Sequence, residues 1–244
     1  MKYISLLSLG LICACASVKN PAATSFNAAK SDAKAIVIAD QVMTANGGRK
    51  AWDATHYIAW DFFGARYLTW DKQSGDVHIN IKKDNVKMLF NLKTMKGTAN
   101  KNGTALEGED LIKTLEKGRK IWINDSYWLV MPFKLKDDGV TLRYVKEDKS
   151  TDNQPCDVLQ LTFEQVGVTP ENKYYVFVNK ASHLVTQWQF FGKASDEKPQ
   201  FTNPWLDYTQ HGGIKLSGNR GRDEGNLTDI KVDTEVDISV LKGI

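Results

Sequence analysis

Between Ser31 and Ala45 the apolar side chains Ile38, Val42 and Ala45, with Ala35, Ala39 and Met43 alongside, return at helical spacing. That period places them on one stripe of an amphipathic helix, and Asn46-Gly47-Gly48 supplies residues that commonly end one. A short helical turn is expected over Arg49 to Ala54, anchored by Trp52. From His56 the period drops to two, first through Tyr57 to Trp70 and then through Asp76 to Lys82. Val77, Ile79 and Ile81 alternate there with His78, Asn80 and Lys82, so one face meets a core and the other is polar. Asp84-Asn85 turns the chain into Val86 to Leu92, where Val86, Met88, Phe90 and Leu92 share a face, and the two runs predict a hairpin.

After a turn at Lys101-Asn102-Gly103, Glu107 to Lys117 reads as a second helix carrying Leu111, Ile112 and Leu115, with Gly118 placed to cap it. Arg119 to Asp125 reads either as an extra helical turn or as the lead into a strand over Tyr127 to Phe133. Further strands are expected at Val140 to Val145, Val158 to Gln165, Tyr174 to Asn179 and Leu184 to Gly192. Three more follow at Trp205 to Gln210, Ile214 to Ser217 and Ile230 to Asp237. About ten short-looped strands against two helices predict an α+β, mainly β chain with an antiparallel meander rather than a parallel βαβ sheet. A sheet of that length should curl. Leu159, Leu161 and Phe163, and likewise Leu184, Thr186, Trp188 and Phe190, are expected on its concave face, with room beneath the helices for an apolar ligand.

The N-terminus changes this picture. Lys2 is followed by an apolar run from Ile4 to Ile12, as in a secretory signal, and the run falls short of the roughly 20 apolar residues that cross a bilayer. Ile12-Cys13-Ala14-Cys15 resembles a lipobox, with a small residue before the modified cysteine, so Cys15 is the expected lipidation site. The expected organisation is a lipoprotein signal peptide over 1–14, a flexible tether over 15–32 and one β-rich domain over 33–244. Cys156 is then left without an intrachain partner and reads as a small residue near the core.

Composition narrows the function classes. The formal net charge is +3, and the basic residues are scattered among acidic ones, which excludes the footprint of a nucleic-acid binder. His56, His78, His183 and His211 are isolated and read as polar strand positions; neither a metal set nor a cofactor is expected. No Gly-x-Ser-x-Gly elbow, phosphate loop or dinucleotide fingerprint is present, so nucleophilic or nucleotide chemistry has no starting point. Asp137-Asp138-Gly139, Gly212-Gly213 and Gly218 to Arg222 read as turns and hairpin loops. Trp60, Phe62, Phe90, Trp128, Phe177, Trp188 and Phe190, with Met88 and Met131, are the candidates for lining an apolar site, against the plain alternative of an ordinary core.

The stretch from Trp122 to Val140, Trp-Ile-Asn-Asp-Ser-Tyr-Trp-Leu-Val-Met-Pro-Phe-Lys-Leu-Lys-Asp-Asp-Gly-Val, resembles a segment of uncharacterised Gram-negative lipoproteins related to the LolA/LolB-like outer-membrane lipoprotein carriers. The order of helix, Gly-Gly, long first strands, inserted helix and meander resembles that superfamily over residues 33–240. The resemblance implies a half-open β-barrel whose mouth is covered by helices and whose cavity takes lipid or lipoprotein acyl chains. A shuttling carrier must be soluble, whereas Cys15 implies an anchor, so a stationary acceptor or binder fits better. The expectation is a non-enzymatic, monomeric lipoprotein on the periplasmic face of the outer membrane. An envelope module binding protein or glycan with a self-filled core, and a hydrolase without a known motif, are the alternatives.

Overall fold

Fourteen strands and three α-helices make up the described residues of the computed structural model, 25–164, 170–223 and 225–242. Helix α1 (Ala33–Ala45) buries Ala35, Ile38, Ala39 and Val42, the stripe marked by its period. It stops where Gly47, at φ +115°, brings its backbone against the carbonyl of Gly213, in space a Cβ would occupy. Helix α2 (Gly48–Ala54) then buries Trp52.

Two open antiparallel sheets follow. The first runs β1 (Tyr57–Phe62), β2 (Arg66–Asp71), β3 (Asp76–Ile81), β4 (Val86–Asn91), β5 (Gly97–Lys101) and β6 (Thr104–Ala105), each paired with the next. Its other edge is β14 (Leu227–Val232), which returns to pair with β1. The second runs β7 (Val140–Lys149), β8 (Pro155–Phe163), β9 (Lys173–Asn179), β10 (Val185–Phe191) and β11 (Phe201–Pro204). Between β11 and β14 the chain forms a separate hairpin of β12 (Leu206–His211) and β13 (Ile214–Asn219). It seats Ile214 and Leu216 in the core of the first sheet and packs Tyr208 against the core of the second. The mainly β, antiparallel architecture expected from the alternation is the one observed, and neither sheet closes into a barrel, in keeping with the half-open form that the resemblance implied. Edge strands β6 and β7 are not laddered to each other, and helix α3 (Gly108–Val130) is the chain that runs between them.

Helix α3 departs most from the sequence expectation. It does not end at Gly118, and Tyr127 to Phe133 is not a strand: the helix continues to Val130 and closes with a 3-10 turn over Met131–Phe133. Its core-facing line is Leu111, Leu115, Gly118, Trp122, Asp125 and Leu129, with Leu111 and Trp122 partly buried and the others buried, alternating steps of four and three that hold one helical face. Gly118 sits in that line because a Cβ there would stand 2.3 Å from the sulfur of Met88 and 2.9 Å from the ring of Phe90 on β4. Asp125 sits in it because Arg66 on β2 donates to it twice, from Nε at 2.7 Å and Nη2 at 3.0 Å. Burial pushes the Asp125 carboxyl above its ordinary value, and the Arg66 and Asn124 hydrogen bonds pull it back.

Other differences are local. Tyr57 to Trp70 is two strands, split at Phe63 and Gly64, whose φ values of 55° and 69° make the turn. β5, β6 and β11 lack the alternation that marks a strand, and β14 begins earlier than the expected Ile230 and ends at Val232. A bulge between Val185 and Gln187 moves Thr186 off the concave face, where its hydroxyl lies 3.5 Å from Cys156 Sγ. Residues 25–32, expected within a free tether, are docked along β7: Gly139 donates to the Ser25 carbonyl at 3.2 Å and Asn27 to the Val140 carbonyl at 3.1 Å. Cys15 lies outside the described residues. Among the described residues no helix is long and apolar enough to cross a membrane.

If Gly118 sets the separation of α3 from β4, Gly118→Val must displace Met88 and Phe90. The expected cost is about 1–3 kcal/mol of stability, read as a lower urea midpoint at unchanged slope.

Candidate functional site

Helix α3 covers the concave side unevenly. One face fills the first sheet, where Trp60, Phe62, Met88 and Phe90 share a closed core with Leu115 and Leu129. The other face of its C-terminal half looks toward the second sheet, and a pocket of about 400 Å³ remains between them. That volume lies in the lower part of the range of small-molecule sites, roughly 300–1,000 Å³. Trp122, Ile123, Ser126, Tyr127 and Trp128 form the helix wall. Val140, Phe163, Tyr174 and Trp188, from β7, β8, β9 and β10, form the sheet wall. Lys120, Lys134, Asp137 and Asp138 add charged groups, with Lys134 paired to Asp137.

The sheet wall is set by period-two alternation across ladders in register: Tyr174 faces Leu161 on one side and Phe190 on the other. Tyr174 stacks on Trp188 with centroids 5.2 Å apart and planes at 17°, and Trp128 meets Trp188 edge-on at 4.8 Å. The ring of Tyr127 packs between Phe163, Tyr174 and Trp188 at 5.5–6.4 Å. Burial raises the Tyr174 phenol to about 12 and pushes Tyr127 well above its ordinary value, aided by Tyr174 and Asp137 nearby. A phenol is protonated near neutral pH in any case and burial moves these two further from ionising, so the aromatic part of the wall carries no charge.

The sequence candidates divide in space. Trp128 and Trp188 line the pocket. Trp60, Phe62, Met88 and Phe90 lie in the first core, and Met131 is fully buried in the second. Phe190 shares the concave face with Trp188 but stacks on Phe201 at 4.9 Å, outside the pocket lining. Phe177 packs with Cys156 and Val158 on the far side of the second sheet. Pocket residues that the sequence does not put forward as lining are Ile123, Ser126 and Tyr127, because their segment reads as a strand approach, and Val140 and Tyr174 at strand ends; Phe163 is expected on the concave face but not among the lining candidates.

Arg220 was hidden too. Gly218 to Arg222 reads as a loop, yet Gly218 and Asn219 belong to β13 and the Arg220 side chain is fully buried. Its guanidinium lies 3.8 Å over the Trp205 ring and donates to Ser217 Oγ at 3.1 Å, to the carbonyls of Ser217 and Asn219 at 3.1 and 3.0 Å, and to the carbonyl of Trp128. The Trp128 carbonyl belongs to the last turn of α3, where carbonyls lack helical partners and the helix dipole favours a cation. Arg66 thus fixes α3 to the first sheet and Arg220 fixes its end to the hairpin. The helix wall of the pocket is held from two sides. Among the described residues no cluster of His, Cys, Asp and Glu suited to a metal ion occurs.

The fold and site define an open two-sheet protein with an aromatic pocket beneath one long helix. No protein-family model matches the chain, and none of the curated proteins compared with it does. Two of the solved structures that resemble it do so at low identity. A DUF1329 family protein from Desulfovibrio piger is 14% identical, with 85% of this chain and 97% of that chain covered at a TM-score of 0.45. A LolA superfamily protein from Nitrosomonas europaea is 10% identical, with 82% and 93% covered at a TM-score of 0.42.

Arg220→Met leaves the partly buried Trp128 carbonyl without its guanidinium donor. The expected result is about 1–3 kcal/mol of lost stability, with faster hydrogen exchange at the amides of residues 125–131 than elsewhere in the helix.

Proposed function

We propose that this chain is a non-catalytic binder of a hydrophobic ligand, an acyl chain of a lipid or lipoprotein, tethered to a membrane through a lipid on Cys15. The observation that carries the reading is the pocket of about 400 Å³ whose walls are predominantly aromatic and aliphatic. Such a site gains affinity from apolar surface removed from water, at about 25 cal/mol per Å². The LolA/LolB-like resemblance of the segment from Trp122 to Val140 supports the same class of ligand, and that segment supplies much of the pocket. The Ala14-Cys15 pair supports the anchor, and residue 25, where the described chain begins, is hydrogen-bonded at Gly139 beside pocket residues Asp138 and Val140. An anchor on Cys15 would then hold the pocket close to its membrane. Surface recognition through exposed aromatics has less support, because the exposed large apolar residues among those described are Val37 and Ile112.

Binding is tested by titrating the protein with a fluorescent fatty acid. Ile123→Trp, which fills the pocket from the helix side, is expected to cut uptake at least tenfold while thermal unfolding stays cooperative. Phe177→Leu, on the opposite face, is expected to leave uptake unchanged. Equal uptake by wild type and Ile123→Trp contradicts the reading.

The anchor is tested separately in cells by metabolic labelling with a palmitate analogue and membrane fractionation. Cys15→Ala is expected to lose the label and to leave the membrane fraction, and retention of both contradicts lipidation at Cys15.

A further inference from the structure

We infer that the ligand of this pocket carries a zwitterionic head, an anionic phosphate joined to an ammonium as in a phosphoethanolamine phospholipid, held between Lys120 and Asp138 at the charged rim of the pocket. The inference rests on the hydrophobic-ligand reading above and adds a head group to the acyl chain.

The first observation is a cation and an anion on one rim, each without a partner. Lys120 and Asp138 both line the pocket, and both are exposed. Among the described residues neither side chain makes an ion pair or a hydrogen bond, with the other or with any third group. The charges around them are matched. On the same helix Lys113 reaches Glu109 at 2.9 Å and Lys117 reaches Asp84 at 3.8 Å. Around the loop that carries Asp138, Lys134 is paired to Asp137, Lys136 to Asp40 at 2.6 Å and Lys30 to Glu164 at 2.8 Å. Lys120 and Asp138 are thus the charges of the described lining left open to a ligand, one of each sign.

The second observation is the placement of these charges against the apolar walls. The sheet wall begins at Val140, just after Asp138, and crosses Phe163 on β8 and Tyr174 on β9 to reach Trp188 on β10, so the charged loop stands at its β7 end. Lys120 lies about 12 Å along α3 from Trp128, at 1.5 Å per residue, and Trp128 is the helix residue that meets Trp188. An amphiphile can therefore lay its chain against Tyr174, Trp128 and Trp188 while its head stays at the rim. There the phosphate oxygens accept from the Lys120 ammonium, and the head ammonium donates to the Asp138 carboxylate.

The sign of the head follows from the same balance. The charged lining is two lysines and two aspartates, with Lys134 and Asp137 already joined. An anionic head satisfies Lys120 but brings its charge toward the aspartates with nothing for Asp138. An uncharged head leaves both groups to water. Exposed pairs of this kind add little affinity, yet they discriminate between heads.

The test uses three competitors with the same palmitoyl chain, lysophosphatidylethanolamine, lysophosphatidylglycerol and monopalmitoylglycerol. Each displaces a fluorescent fatty acyl probe from the full chain, below the concentration at which it forms micelles. Wild type is expected to bind the zwitterion most tightly. Lys120→Gln is expected to weaken both phospholipids about two- to fivefold, the worth of an exposed ion pair, and to leave monopalmitoylglycerol unchanged. Asp138→Lys is expected to put the anionic lipid ahead of the zwitterion, a gain that a folding defect does not imitate. Phosphoethanolamine and inorganic phosphate, which lack the chain, are expected to displace nothing. Equal affinity of wild type for the three lipids, a uniform shift of all three in either variant, an unchanged order in Asp138→Lys, or displacement by the chainless ions overturns the inference, while uptake of the probe keeps the hydrophobic-ligand reading. Failure of wild type to take up the probe or any of the lipids overturns both.

Discussion

A 23-residue helix can lie against the first sheet here because two positions in its buried line are not apolar. Gly118 removes the side chain that would collide with Met88 and Phe90, and Asp125 replaces an aliphatic contact with a two-point bond from Arg66. A bulkier residue at the first position would lift the helix off β4. A missing carboxylate at the second would leave the Arg66 guanidinium without its partner on the helix. The pocket depends on this docking, since the residues of α3 that face the second sheet are placed by those that face the first.

The arrangement divides the concave side by function. Where α3 fills the first sheet the aromatic side chains are closed into a core, and Trp60 and Phe90 are fully buried there. Where it faces the second sheet, the rings of Trp128, Tyr127, Tyr174 and Trp188 meet edge-on, tilted or stacked, and space is left beside them. Close-packed interiors leave few voids of that size. Arg220 contributes from the far end by satisfying a terminal helix carbonyl, at the expense of burying a cation whose proton affinity burial lowers to about 9.

Much of the fold was legible in the chain because many of its elements obey one period. Helix α1 and the β3–β4 hairpin follow from their alternation, and the mainly β class follows from the spacing of turns. The extent of α3 was not legible for the same reason that makes it dock closely. Gly118 looks like a cap, and Asp125 interrupts the apolar period just before a run of Tyr, Trp, Leu, Val and Met that suits a strand. The turns of α3 beyond Lys117 are the ones missing from the sequence reading, and Trp60, Phe62, Met88 and Phe90, candidates for an apolar site, lie with Leu129 from those turns in the first core. Phe177 joined those candidates because both faces of β9 are apolar or aromatic, and alternation alone does not say which is concave. Trp128 and Trp188 are the candidates that the tertiary structure brings to the pocket.

The central claim is that the space under the C-terminal half of α3 belongs to a ligand rather than to solvent. Native mass spectrometry of the protein as purified, with an organic-solvent extract of the same sample, addresses it directly. The account predicts an added mass of one acyl-containing molecule per chain, recovered in the extract and absent from Ile123→Trp. A bare chain mass with a clean extract, in a protein that also fails to retain added acyl ester, would contradict it.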